Sequence, residues 1–139
     1  MSRDIKPVPV VCDTNVLVSA LLGSFTNRKI FDVFKSGKVL LVFSKESLAE
    51  LVEVLSRPQF KIPASEIRSL FRLVRKRARI VRNIKPITMC RDPKDNMILA
   101  AAVSGKAAYL VTGDQDILAL SNISTVQIVP PAKFLTLVT

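Results

Sequence analysis

The sequence has no histidine and no tryptophan, only four glycines and two cysteines, and eleven acidic residues against 21 basic ones. Each scarcity removes a class of chemistry. Without histidine there is no Ser–His–Asp or Cys–His pair, no imidazole general base and no zinc site built on imidazole. Cys12 and Cys90 are too few for a four-cysteine zinc site and too far apart for a CxxC redox pair. Four scattered glycines cannot build the phosphate loop of a P-loop or dinucleotide-binding fold. No apolar run approaches the roughly 20 residues that span a bilayer. The stretch from Met1 to Pro9, broken by Pro7 and Pro9, does not read as a signal peptide. Few cysteines in an ordinary domain fit a reducing compartment, so we expect free thiols, a cytoplasmic location and no membrane association.

What remains is a chain of 139 residues, 49% of them hydrophobic, which we read as one domain over residues 1–139. That length buries a core without disulfides or a structural metal. Short Val-rich runs alternate with helical patterns. Strands are expected at 10–12, 39–43, 109–112 and 126–129. Helices are expected at 15–22, 27–36, from Ser44 to about Leu55, 63–79, 92–104, 115–120 and 130–137. Such alternation argues for an α/β domain whose parallel sheet is covered by helices on both faces.

The formal net charge is +10, which makes a polyanion the first partner to consider. Residues 61–91 hold ten bases and one acid, Glu66, and supply nearly all of the excess. Within that segment Arg68, Arg72, Arg75, Arg79 and Arg82 recur at spacings of four and three. Ile67, Leu70, Phe71, Val74 and Ala78 recur opposite them, giving one amphipathic helix with an arginine ridge. A charged helix face is usually just solvated. This one has almost no acids to pair with, and Arg forks onto phosphate, so nucleic-acid contact is the sharper reading.

The eleven acids are placed tellingly. Asp13 directly follows the first strand, and Asp114 and Asp116 follow the 109–112 strand. Sites in open parallel sheets form outside the carboxyl ends of the strands, so these acids should share one rim. Asp92 and Asp95 begin a helix, and Glu46, Glu50 and Glu53 share one helix face. Singly, each has a bland role: Asp92 before Pro93 is a good N-cap, Asp114 caps the next helix, and Glu46 and Glu53 are surface. Jointly, three or four converging carboxylates repel unless a cation intervenes. An oxygen-only donor set suits Mg²⁺ or Mn²⁺, which assist phosphodiester hydrolysis.

The segments VVCDTNVLVSALL, SLAELVEVLSRPQF, CRDPKDNMILAAAVSGKAAYLVTGDQDILAL and VQIVPPAKFLTLV resemble a PIN domain over essentially the whole chain. More narrowly, they resemble the VapC-like toxin ribonuclease of prokaryotic toxin–antitoxin systems. Asp-Thr-Asn alone is a weak signal; RDPKDN followed at this distance by TGDQD is a strong one. The resemblance implies a three-layer α/β/α sandwich with a central, mostly parallel sheet and a Mg²⁺- or Mn²⁺-dependent endoribonuclease. It puts the four catalytic acids on Asp13, Glu50, Asp95 and Asp114, with Glu53 the lesser choice at the second position. The metal falls to Asp13, Asp95 and Asp114, and accessory roles to Asn15, Thr112 and Asp116; Asp92 keeps its capping role. It implies an RNA substrate, a small antitoxin partner and a homodimer.

Two other readings compete. A haloacid-dehalogenase-type phosphatase needs a second Asp two residues after the first, where this chain has Asn15. A non-catalytic basic module would bind nucleic acid with its acids serving only as caps.

Overall fold

The computed structural model describes residues 6–23 and 25–139. The first five residues of the stretch read above as lacking a signal peptide lie outside the described residues. The elements run β1 (Val8–Cys12), α1 (Thr14–Leu21), α2 (Phe25–Ser36), β2 (Val39–Ser44), α3 (Lys45–Leu55), a 3₁₀ turn (Pro58–Phe60) and α4 (Ala64–Arg77). They continue with β3 (Arg79–Val81), α5 (Pro93–Ser104), β4 (Tyr109–Val111), α6 (Gln115–Leu118), β5 (Asn122–Ile123), β6 (Val126–Val129) and α7 (Pro131–Val138). The expected α/β class and mostly parallel sheet are what is found.

The six strands lie in the order β3-β2-β1-β4-β6-β5. All neighbouring pairs are parallel except β5 with β6. β1 is central: the chain builds outward to β2 and β3 on one side, then crosses over to β4 on the other. Cys12 stands level with Val111, and Val111 with Val129, so β1, β4 and β6 end on one rim. Ser44 at the end of β2 is level with Val81 at the end of β3.

Alternation at a period of two sends side chains to both faces, and both are covered. On one face Val10, Cys12, Leu41, Phe43, Val111 and Val129 pack with Leu17, Ile30, Phe34, Leu70 and Phe134 from α1, α2, α4 and α7. On the other, Val11, Val42, Leu110 and Ile128 pack with Ile98, Leu99 and Ala102 of α5 and Ile117 of α6. Burial of each such large aliphatic or aromatic side chain stabilises by about 1.5–3 kcal/mol. Gly105 closes α5 because nothing larger fits there. A Cβ would lie 2.7 Å from Val42 Cγ1 and 2.9 Å from both Val81 Cγ2 and the Ala101 carbonyl oxygen.

Three expectations need correction. The helix expected to run to about Arg79 ends at Arg77, with Ala78 extended at φ −77°, ψ 151°. The ridge from Arg68 to Arg82 is therefore not one helix face. Arg79 and Arg82 belong to β3 and the residue after it, where pairing with β2 overrides the helical spacing. The short strands β3 and β5 were not expected at all. The apolar back of α4 is as read: Leu70 and Val74 are buried, and Ile67, Phe71 and Ala78 pack against the same core.

Candidate active site

Each carboxylate at the rim is placed by the start of a helix. Asp13 follows β1, donates its backbone N–H to the Val111 carbonyl (2.9 Å) and caps α1 by accepting from the Asn15 N–H (3.4 Å). Asp114 caps α6, accepting from the backbone N–H groups of Asp116 (2.8 Å) and Ile117 (3.3 Å). Asp92 caps α5 through the Lys94 N–H (2.9 Å), with Pro93 at the first helical position. Asp95 stands one residue beyond Lys94, in the first turn of the same helix. Ends of helices with exposed N–H groups favour negative charge, so the fold holds these acids where three helix N-termini meet the rim.

Thr112 joins the two halves of this arrangement. It is fully buried, its hydroxyl donates to Asp13 Oδ2 (2.9 Å), and it accepts from the Asp114 backbone N–H (3.1 Å). One side chain thus fixes the Asp13 carboxylate and the loop that carries Asp114, across 99 residues of sequence. Asp95 senses the assembly electrostatically. Its carboxyl is pushed above the usual carboxylate range, first by desolvation and then by the charges of Asp114, Asp92, Asp13 and Asp116. The Cys90 thiol is raised by desolvation and then by Asp95, Asp114, Asp116 and Asp92. Cys12 lies just under Asp13, and its thiol is raised well above the usual range by burial and then by that carboxylate. Both cysteines are free.

Asn96 was not singled out from the sequence. Its side-chain oxygen accepts from the Cys90 N–H (2.7 Å), and its amide donates to the Cys90 carbonyl (2.9 Å). This two-point clamp pins the connection entering α5 directly beside Asp92 and Asp95. The only hint in the sequence was its membership of the RDPKDN block, which does not reveal Cys90 as the partner.

The other candidate residues are dispersed. Asn15 is exposed in the first turn of α1, and Asp116 is exposed in the first turn of α6. Glu50 is half-buried on α3 and is not among the charges that shift Asp95; it acts on Arg57. Glu53 is bound in a two-point pair with Arg57 (3.0 and 2.8 Å). Arg68, Arg72 and Arg75 are exposed on α4, Arg82 is exposed just after β3, and Arg79 donates to the Gly105 carbonyl (3.4 Å). The side chains therefore bring together Asp13, Thr112, Asp114, Asp116 and Asp95, with Asp92 beside them.

The donor chemistry suits a hard cation, because the acids that act on Asp95 offer only oxygen ligands. Among the described residues no three His, Cys, Asp or Glu side chains stand close enough to bind one ion directly. The fit is thus to a cation held by one or two carboxylates with water completing its shell, which is the usual habit of Mg²⁺.

A doubly wound α/β domain with an acidic, oxygen-only rim at its central strand ends is the class defined by this fold and site. A family model of the PIN domain matches residues 9–116, well over half of the chain, and spans every rim acid. The chain belongs to the PIN domain family, whose members are generally nucleases that use divalent metal ions. A search of curated proteins finds none that matches it.

Proposed function

We propose that this protein is a Mg²⁺- or Mn²⁺-dependent endoribonuclease, the cytoplasmic toxin of a toxin–antitoxin pair. The observation that carries the reading is the buried Thr112 hydroxyl linking the Asp13 carboxylate to the Asp114 backbone, within the electrostatic reach of Asp95. In this reading Asp13, Asp95 and Asp114 would hold the cation, one or two of them directly and the rest through water. When bound, a divalent ion supplies a more acidic water and neutralises charge on the phosphate. Asp13, held by Thr112, keeps a fixed geometry while the phosphate approaches in line with the attacking water. The water gives up a proton to solvent as its oxygen bonds to phosphorus, the bond from phosphorus to the 3′-oxygen breaks, and that oxygen takes up a proton from solvent in return. The products carry a 5′-phosphate and a 3′-hydroxyl. Glu50 orients the water from α3, Asn15 and Asp116 flank the acids, and Arg68, Arg72, Arg75, Arg79 and Arg82 attract the RNA backbone. A small antitoxin would cover the rim, and the active species would be a homodimer.

One observation favours the non-catalytic alternative. Asp13, Asp92 and Asp114 each cap a helix, so all three have a structural use without catalysis. Metal dependence separates the readings. A nuclease cuts generic single-stranded RNA with Mg²⁺ or Mn²⁺ and stops in EDTA, whereas a binder holds RNA in both and never cuts it. Among the described residues no helix is long and apolar enough to cross a membrane. An adjacent short reading frame for a DNA-binding protein would support the toxin assignment, and its absence would leave a stand-alone nuclease.

A further inference from the structure

A cluster of four bases lies away from the acidic rim. α2 and α4 lie side by side and run the same way: Arg28 meets Glu66 near their starts (3.1 Å), and Arg77 meets Lys35 at their ends. Between the ending turns is a cavity of about 250 Å³ lined by Lys35, Ser69, Arg72, Leu73, Lys76 and Arg77. Four of these six are bases and none is an acid. Glu66, the one acid of residues 61–91, is engaged by Arg28 at the other end of the helix. Asp32 of α2 faces a different groove, against α7.

The lining is held in place. Arg77 Nη1 donates to the carbonyls of Lys35 (2.9 Å) and Phe34 (3.5 Å), the last turn of α2. Lys35 Nζ sits 4.6 Å from the centre of the Phe31 ring. Gly37 turns at φ +83°, and a Cβ there would come within 3.3 Å of Arg77 Nη1, so a glycine lets the guanidinium lie against the turn. Leu73 supplies one apolar wall, and Ser69 a hydroxyl. Cations held in this way, Arg77 and Lys35, bind a phosphate with little ordering cost.

A smaller cavity that Leu73 and Arg77 share with Val39 puts this site at the starting end of β2. The rim acids lie beyond the other ends of the parallel strands. The six residues of β2 separate the two by roughly 16 Å at about 3.3 Å per residue. A group bound here cannot touch the reacting phosphate.

We propose that this cavity is an RNA exosite: it binds a backbone phosphate of the same strand whose scissile bond lies at the acidic rim, so that the enzyme grips substrate at two separated points. This rests on the RNA-directed reading above. The probe is end-labelled single-stranded RNA, long enough to reach from rim to cavity, bound in EDTA so that it is not cut. Lys35→Gln with Lys76→Gln removes two cations that the arginine ridge does not include. A single-strand phosphate contact contributes about 0.7 to the slope of log affinity against log salt, so losing the one phosphate held here should flatten the slope by about 0.7. Affinity at about 0.1 M salt should fall about 5-fold, converging with the parent near 1 M. A matched control, Lys106→Gln with Lys133→Gln, should move the slope far less.

Three results overturn the proposal: an unchanged slope, an equal loss in the control, or competition by inorganic phosphate at concentrations far below those expected from salt alone. The last would make the cavity a site for a small free anion. If the parent never cleaves RNA in any metal but the slopes behave as stated, the nuclease reading fails and the cavity remains an RNA-binding site without an enzyme to serve. If cleavage is metal-dependent and the slopes do not move, the exosite alone fails.

Discussion

Replacing Thr112 by valine keeps its shape and removes one hydroxyl. The Asp13 carboxylate then loses a 2.9 Å donor, and the Asp114 N–H loses its 3.1 Å acceptor. A hydrogen bond to a charged group contributes about 1.5–3 kcal/mol, and an unsatisfied buried donor costs about 1–3 kcal/mol. Asp13 is half-exposed and water replaces part of the first term, so we place the sum at about 2–4 kcal/mol. For a domain of this length about 1 kcal/mol shifts Tm by roughly 3–4 °C, giving a fall near 10 °C. Thr112→Ser keeps the hydroxyl and loses a methyl, for about 1 kcal/mol. The assay is thermal unfolding of parent, Val and Ser forms side by side in EDTA, followed by RNA cleavage with Mn²⁺ well below the lower Tm. We expect Ser to be the more stable variant and the more active one, with Val cutting at least tenfold more slowly. A valine form as stable as the serine form would refute the idea that Thr112 ties the two strand ends together.

Asn96→Ala should free the Cys90 backbone, destabilise the domain by about 2 kcal/mol and expose residues 82–91 to limited proteolysis, which reads the loss locally. Asp95 gives a pH prediction. Its carboxyl is raised above the ordinary 3.8 by desolvation and then by neighbouring acids, so the folded chain binds that proton more tightly than the unfolded chain. Stability therefore falls as pH rises from 3.8 through the folded value, and the loss is complete above it. Asp95→Asn should be more stable than the parent near neutral pH in EDTA, with the difference vanishing below 3.8; urea unfolding across pH checks this. Gly105→Ala should cost about 1–3 kcal/mol in the same assay, because its Cβ meets Val42 and Val81 at under 3 Å.

The parts of the fold that were legible had strong local signals. Val-rich runs gave the central strands, and Asp-Pro and Ser44 marked helix starts, where Ser44 and Ser47 bond each other's backbone at 2.9 Å. β3 was hidden because Arg79 and Arg82 continue the three-and-four spacing of α4 with no Gly or Pro to mark the break. Its three residues are extended because β2 offers them partners, a tertiary cause that local pattern does not carry. β5 was hidden because its turn bends through Ser121 and Ser124 at positive φ, where glycine or asparagine would ordinarily signal it. At the site, the position of Asp13 and Asp114 at strand ends followed from the parallel-sheet reading. The Thr112 bridge and the Asn96 clamp did not, since each depends on which backbone group the fold brings near. The arginine ridge divided for the same reason, and of its members Arg72 lines the cavity at the far end of the sheet from the acids.

The central claim is that the rim acids do chemistry as well as capping, and aspartate-to-asparagine variants separate the two. Asparagine caps a helix about as well as aspartate, so Asp13→Asn and Asp114→Asn should keep the α1 and α6 caps and most of the stability. They remove the charge that would hold a cation worth several kcal/mol at the transition state. Measured on single-stranded RNA with Mn²⁺, each should cleave at least about 100-fold more slowly than the parent while staying folded. Folded variants that cut at the parental rate would contradict the account.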